Sequence, residues 1–383
     1  MILGLDGLRA IAFLLVFAFH TNYLDCGWAG VQLFFVLSGF LITAILVDMK
    51  KTLPSKAYFI KFYGRRFLRI FPLYYFYLFL MIGVACWLYF SGYRVNRMLE
   101  YFSQLPFALT YTYNFLYASV WFNTSYFLTH FWSLSVEEQF YIVWPLLILL
   151  TPASAYKKLF IGAIILGPVF RLFAAFLYNA HAFPFLSTNT PSGIYALPFS
   201  HLDAFGFGAF ISQYRLPKAR QQFWALLVAV PLIGFATQYL ATGNFGSWSG
   251  FGYSFPIANG LKHVWGYSLL NYFFAITIYA VAREGLFNRF LELKWMRYLG
   301  KISYGMYVYH YALIFFASRL QDYIPLTPDQ AQPITALIAF VATLAIASAS
   351  YALLEKPILS LKDKFFATES KSATQPGTAK IPG

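Results

Sequence analysis

The sequence predicts an all-α, polytopic integral membrane protein with about ten transmembrane helices and cytoplasmic termini. Three observations carry this. First, of 383 residues 60% are hydrophobic and only 11% charged, and the mean hydropathy of +0.59 is far too high for a soluble domain of this size. Second, apolar runs recur along the chain, continuous and without the dyad alternation that an outer-membrane barrel requires. Third, 22 of the 28 Lys and Arg fall in every second connection or after the last run, and only Arg94, Arg97, Lys262 and Arg319 in the other connections. The basic connections face the cytoplasm by the positive-inside rule. A formal net charge of +14 would otherwise suggest a nucleic acid or an anionic surface; its distribution assigns it to topology, and no nucleic-acid partner is expected.

The ten runs lie at about 4–22, 29–48, 70–90, 133–151, 159–178, 199–213, 223–240, 264–282, 297–317 and 334–354. The first lacks a basic leader region and a small-residue cleavage site, so it is expected to remain as a span. The sixth is short and contains glycine, as a half-helix or a broken span would. The connection 91–130 is aromatic-rich and reads as an interfacial or re-entrant segment, and 241–263, rich in Gly and Ser, as a mouth or flap. Cys26 and Cys86 have no metal-like spacing and read as packing residues. From about Thr368 the chain is Ser, Thr, Pro, Gly and Lys without apolar pattern, which predicts a disordered cytoplasmic tail at 368–383 after one membrane domain at 1–367.

Ionisable groups inside apolar runs are costly unless they face protein or a water-filled cavity. Asp6, Arg9 and His20 share one face of the first helix, with His20 about 16 Å from Arg9 and about 21 Å from Asp6 along the axis. That separation excludes a His–Asp dyad between His20 and Asp6, and leaves Asp6 to orient Arg9 or to cap the helix. In IKFYGRRFLRIFPLYY, Arg65, Arg66 and Arg69 are either a positive-inside anchor or, as guanidinium forks suited to phosphate, an anion site at the cytoplasmic end. In FWSLSVEEQFYIVWP, Glu137 and Glu138 point about 100° apart. Both lie a few residues inside the outer end of their run, at the expected depth of His20, with Ser133 and Ser135 beside them; a carboxylate there could instead partner a buried donor such as Arg171. Ser303, Tyr307 and His310 share a face in KISYGMYVYHYALIFF. His130 and Asp203 open the fourth and sixth spans as weaker candidates, and His181 and His263, in outer loops, are weaker still. No spacing argues for a metal.

Taken together, Arg9–x10–His20, GVQLFFVLSGFLIT, GRRFLRIFPLYY, FWSLSVEEQFYIVWP and SYGMYVYH resemble the acyltransferase-3 family of membrane acyltransferases over about residues 4–356. The resemblance implies a ten-span enzyme of the bacterial inner membrane that takes an acyl group, usually acetyl, from cytoplasmic acyl-CoA. The group passes to a hydroxyl of a cell-surface polysaccharide or lipid-linked sugar. No permanently bound cofactor is implied; acyl-CoA is the donor substrate, and membrane lipids surround the protein. By this resemblance His20 is the catalytic histidine, Arg9, Arg66 and Arg69 hold the donor, and Glu137 holds the acceptor or sets the histidine's tautomer. Asp6, Arg65, Ser133, Ser135, Glu138, Asp203, Tyr307 and His310 are supporting candidates. Many relatives carry a further span and an esterase-like domain after the tenth, so acceptor delivery is expected to fall to the membrane domain or a partner. Ala312 stands where a proline often follows the span-nine histidine by two positions. Other acyl groups such as succinyl, or a small-molecule acceptor, are alternatives within the enzymes. A proton-coupled secondary transporter is the alternative of another class, and it is disfavoured because no inverted repeat is visible.

Overall fold

The computed structural model describes residues 4–186, 190–320 and 327–366; the expected tail at 368–383 lies outside them. The helices are α1 (Gly4–His20), α2 (Ala29–Thr52), α3 (Ser55–Phe90), α4 (Val95–Leu109), α5 (Tyr113–Tyr117), α6 (Phe131–Leu150), α7 (Tyr156–Asn179) and α8 (Thr190–Ala196). They continue with α9 (Leu202–Gln213), α10 (Ala219–Thr242), α11 (Lys262–Glu284), α12 (Asn288–Leu291), α13 (Lys294–Arg319), α14 (Pro328–Ser350) and α15 (Lys356–Phe365). Among the described residues the only strand-type pairing is an isolated bridge between Ser119 and Leu186.

Among the described residues, seven helical stretches are long and apolar enough to cross a membrane. The broken pair Thr190–Ala196 and Pro198–Gln213, bent by 77°, raises that to eight. The break falls where Leu197 is extended before Pro198, which opens a 3-10 turn into α9. The sixth run is therefore a broken element, as its glycines and shortness suggested. The other two expected spans lie on α1, which has 17 residues, and α13, whose 26 residues are diluted by tyrosines and His310.

One connection differs from expectation. The arginine-bearing segment before the third span is no loop: α3 runs unbroken for 36 residues, and Arg66 stands eleven residues, or about 16 Å, above its start. The aromatic segment 91–130 folds into α4 and α5. The amphipathic α4 buries Met98, Tyr101, Gln104 and Ala108, and Tyr74 and Tyr75 of α3 donate to the carbonyls of Ala108 (2.7 Å) and Leu109 (3.0 Å). Both cysteines are free thiols, and burial pushes that of Cys26, in the turn after α1, up to about 11.

Two close helix contacts position the site. Gly39 of α2 and Gly208 of α9 let those helices meet backbone to backbone, since a Cβ on either would overlap a carbonyl of the other helix. Gly300 does the same for α13 against the Asp6 carbonyl of α1. From that crossing α1 and α13 run in the same direction, so the cationic start of α13 lies beside Asp6 and Arg9, and His310 reaches His20 at the far end.

Candidate active site

Helices α3 and α6 set the first half of the site. Tyr58 and Tyr63 of α3 donate to the carbonyls of Pro145 and Ile142, both at 2.9 Å, which fixes an antiparallel register. One turn on, the Arg66 guanidinium lies 4.9 Å from the ring centre of Tyr141, and Tyr141 donates to Oε1 of Glu137 one turn away on α6. Ser38 of α2 donates to the same carboxylate oxygen. Glu137 is thus held on the arginine side by two hydroxyls.

These groups line a cavity of about 110 Å³ with Arg9, Arg69, Glu138, Ser133, Ser303, Tyr304 and Tyr307. It meets a wider vestibule of about 790 Å³ at Arg9, Leu41, Arg69 and Tyr304. Asp6 pairs with Arg9 at 2.6 Å, the orienting role that the helical spacing allowed. Among the described residues neither Arg66 nor Arg69 has a hydrogen bond or ion pair from the protein, and both line the cavity. Guanidinium groups on a cavity wall with no hydrogen-bonded protein anion are suited to an anionic ligand.

His20 does not line this cavity. Phe34, Ser133 and Tyr307 stand at its inner end, where the hydroxyls of Ser133 and Tyr307 are 2.6 Å apart. The expected match in depth between Glu137 and His20 is thereby corrected: Glu137 belongs with Arg66. The offset arises because α3 continues upward as helix and carries its arginines to the level of Glu137.

The ring partner of His20 is also not Glu137. His20 Nδ1 lies 2.8 Å from His310 Nε2, and His310 Nδ1 lies 2.6 Å from the carbonyl of Tyr307. Chemistry assigns the protons. A carbonyl only accepts, so His310 carries its hydrogen on Nδ1, and with both rings neutral its Nε2 is a bare acceptor. His20 must then donate from Nδ1, which leaves the lone pair on Nε2 as its base. Two histidines and a carbonyl here do the orienting that a carboxylate does in other catalytic chains. His130 lies beside His310, ring centres 5.2 Å apart, with its Nε2 on the Val308 carbonyl at 3.1 Å.

Other expected residues are placed elsewhere. Ser135 bonds back to the Phe131 carbonyl at 3.1 Å and does not line the cavity. Arg65 ties α3 to the Phe366 carbonyl at 2.9 Å. Asp203 is wholly buried in a bidentate pair with Arg171, at 3.0 and 2.8 Å, and it is Asp203 rather than a glutamate of α6 that Arg171 engages. Glu137 and Glu138, although about 100° apart on the helix, both line the cavity. The Oε1 of Glu138 is buried with no hydrogen-bond partner. Ser38 and Tyr141 were not singled out by sequence; Tyr141, four residues after Glu137 on a helix, was the available signal.

The architecture is that of a polytopic membrane protein with an arginine-lined cavity and, beyond its inner end, a histidine oriented by a second histidine. Residues 2–352 match the model of the acyltransferase domain, and the chain belongs to that family, the acyltransferase-3 family that its motifs resemble. It is similar to the O-acetyltransferase OatA of Staphylococcus aureus, with 29% identity over 97% of this chain and 59% of that protein. It is likewise similar to the peptidoglycan O-acetyltransferase OatA of Listeria monocytogenes, at 28% over 93% and 55% of the two chains. The putative peptidoglycan O-acetyltransferase YrhL of Bacillus subtilis matches at 27% over 93% and 54%. The chain therefore spans a little over half the length of these curated relatives. No solved structure matches the chain.

Proposed function

We propose that this protein is a membrane O-acyltransferase that moves an acyl group, most simply acetyl, from cytoplasmic acyl-CoA to a hydroxyl of a cell-wall or other cell-surface glycan. The observation that carries this is the pair Arg66 and Arg69, which line a cavity without a hydrogen bond or ion pair to the protein among the described residues, on the same molecule as a histidine whose Nε2 is left free as a base. The relatives named as peptidoglycan O-acetyltransferases support a glycan acceptor. In this reading Arg66 and Arg69 hold the donor's phosphates, and Arg9, braced by Asp6, lies nearer the thioester arm. Glu137, fixed by Ser38 and Tyr141, keeps the cavity's charge from being wholly positive and limits it to a donor of the right shape.

The arm extends toward His20, which requires Phe34, Tyr307 and Ser133 to part. Two routes use the same nitrogen. Either His20 Nε2 takes the proton of the acceptor hydroxyl as its oxygen attacks the thioester carbonyl, and that proton passes to the departing CoA thiolate; or Nε2 attacks first, giving a cationic acyl-imidazolium and CoA as the thiolate, and the acceptor hydroxyl then displaces the imidazole and gives up its proton, which neutralises the thiolate. In both, the proton on Nδ1 stays on the bond to His310. Ten spans with both ends inside complete the reading, so a reporter fused after residue 356 reads as cytoplasmic; an external signal there would leave the broken element at 190–213 uncrossed.

The test is acyl exchange or CoA release by the purified protein in lipid nanodiscs with radiolabelled acetyl-CoA. Donor-dependent exchange supports the reading. A protein that neither binds CoA nor exchanges the label, yet moves protons or solutes in vesicles, would be a transporter. Label retained on the wild-type chain selects the acyl-histidine route, and its absence the direct one.

A further inference from the structure

The wide vestibule beneath the arginines carries more than a topological signal. Lys294, Arg297 and Lys301 stand at i, i+3 and i+7 on the first two turns of α13 and all line the same concave space, together with Arg9 and Arg69. Five cations thus face two carboxylates, Asp6 and Glu355, and Asp6 is already committed to Arg9. The Nε of Arg297 is buried with no hydrogen-bond partner, and so is Oε1 of Glu355. Tyr298, Tyr304 and Tyr351 add flat aromatic faces, and Lys301 lies 4.9 Å from the centre of the Tyr351 ring. A positive-inside anchor needs only charge near the membrane surface; it needs neither a cavity nor a buried, unpartnered guanidinium nitrogen within it.

Shape agrees with charge. The vestibule is several times larger than the narrow cavity it joins, and Arg9 and Arg69 stand at the junction. A molecule with a bulky anionic head, a diphosphate and a thin arm would fill the three parts in that order. We infer that the vestibule binds the 3′-phosphorylated adenosine end of the donor, with Lys294, Arg297 and Lys301 around its phosphomonoester and the tyrosines against its purine. A phosphomonoester carries about −1.5 to −2 charge at pH 7 and three acceptor oxygens, which several separate cations satisfy better than one. Purine faces stack on aromatic rings regardless of sequence context. This inference rests on the acyl-CoA reading of the arginine cavity and adds to it the residues that distinguish CoA from its dephosphorylated form. An anionic lipid headgroup offers the same phosphate chemistry but not the continuity with the inner cavity.

The experiment compares binding of acetyl-CoA and 3′-dephospho-acetyl-CoA to the full chain in nanodiscs of phosphatidylcholine. The wild type is expected to prefer acetyl-CoA by about tenfold or more, the worth of a charged hydrogen bond. In the triple variant Lys294→Gln, Arg297→Gln, Lys301→Gln that preference falls to within about twofold, with affinity for the dephospho donor retained. Should the triple variant lose its fold or orientation, Arg297→Gln alone is expected to remove most of the preference. Full preference in these variants, or none in the wild type, overturns the assignment while leaving the arginine cavity as donor site. Failure of the wild type to bind either donor overturns the acyl-CoA reading itself.

Discussion

Arg171 and Arg66 both ride on helices long and apolar enough to cross a membrane, yet the protein partners them in opposite ways. Arg171 has no exposure, and its donors go to Asp203 in a fork, to Ser268 at 2.7 Å and to the carbonyls of Val264 (2.9 Å) and Ser200. It joins α7, α9 and α11 and leaves nothing for a ligand. Arg66 stacks on Tyr141 and makes no hydrogen bond to the protein among the described residues. The difference separates two ways of placing a charge in an apolar helix: a satisfied guanidinium locks helices together, whereas one on a cavity wall is, in the proposed function, available to an anion from outside.

The largest effect should come from breaking the lock. Arg171→Ala leaves Asp203 charged and unpaired and is expected to cost about 3–5 kcal/mol, read as a steep fall in melting temperature and in monodisperse yield. The double variant Arg171→Met, Asp203→Leu removes both charges and should recover most of that loss. A well-folded single variant would show that the pair is dispensable.

At the functional end the fold should survive and the chemistry should not. Gln at position 20 still forms hydrogen bonds but is no base near neutral pH, so His20→Gln is expected to lower acyl transfer at least about a hundredfold. Melting temperature and CoA affinity should be kept. Near-normal transfer by that variant would take the base role from His20.

His310 acts through His20 and should matter less. His310→Leu removes the acceptor that holds the Nδ1 proton, which should lower kcat by about tenfold, the value of one hydrogen bond, with KM unchanged. His310→Gln can present an amide oxygen to the same proton and should restore most of it. Equal loss in both variants would reduce His310 to a packing residue.

Much of this contrast was legible in the sequence, and the limit has a physical form. Helical periodicity fixes direction and rise along one helix, so Asp6 and Arg9 were placed together and His20 kept apart from Asp6. It says nothing of how far one helix slides past another. Glu137 was therefore set level with His20, until the α3–α6 register, pinned by Tyr58 on the Pro145 carbonyl, put it beside Arg66. Likewise the His20–His310 bond joins residues 290 apart, which no local pattern reaches. Asp203 was visible as a carboxylate in an apolar run, but its role depended on the break at Pro198 that turns α9 toward α7. Lys294, Arg297 and Lys301 were counted for topology, and only the crossing at Gly300 shows that they share a vestibule with Arg9.

The most direct test of the contrast between locked and ligand-facing arginines is to measure acetyl-CoA affinity and melting temperature on one preparation of Arg66→Ala, Arg69→Ala. Charged hydrogen bonds of about 1.5–3 kcal/mol each, discounted for the exposure of Arg69, predict a loss of about a hundredfold in affinity. The melting temperature should hold or rise, because neither arginine has a hydrogen bond or ion pair to the protein among the described residues to lose. Unchanged CoA affinity together with a fall in melting temperature like that of Arg171→Ala would contradict the account, and would make these arginines part of the scaffold.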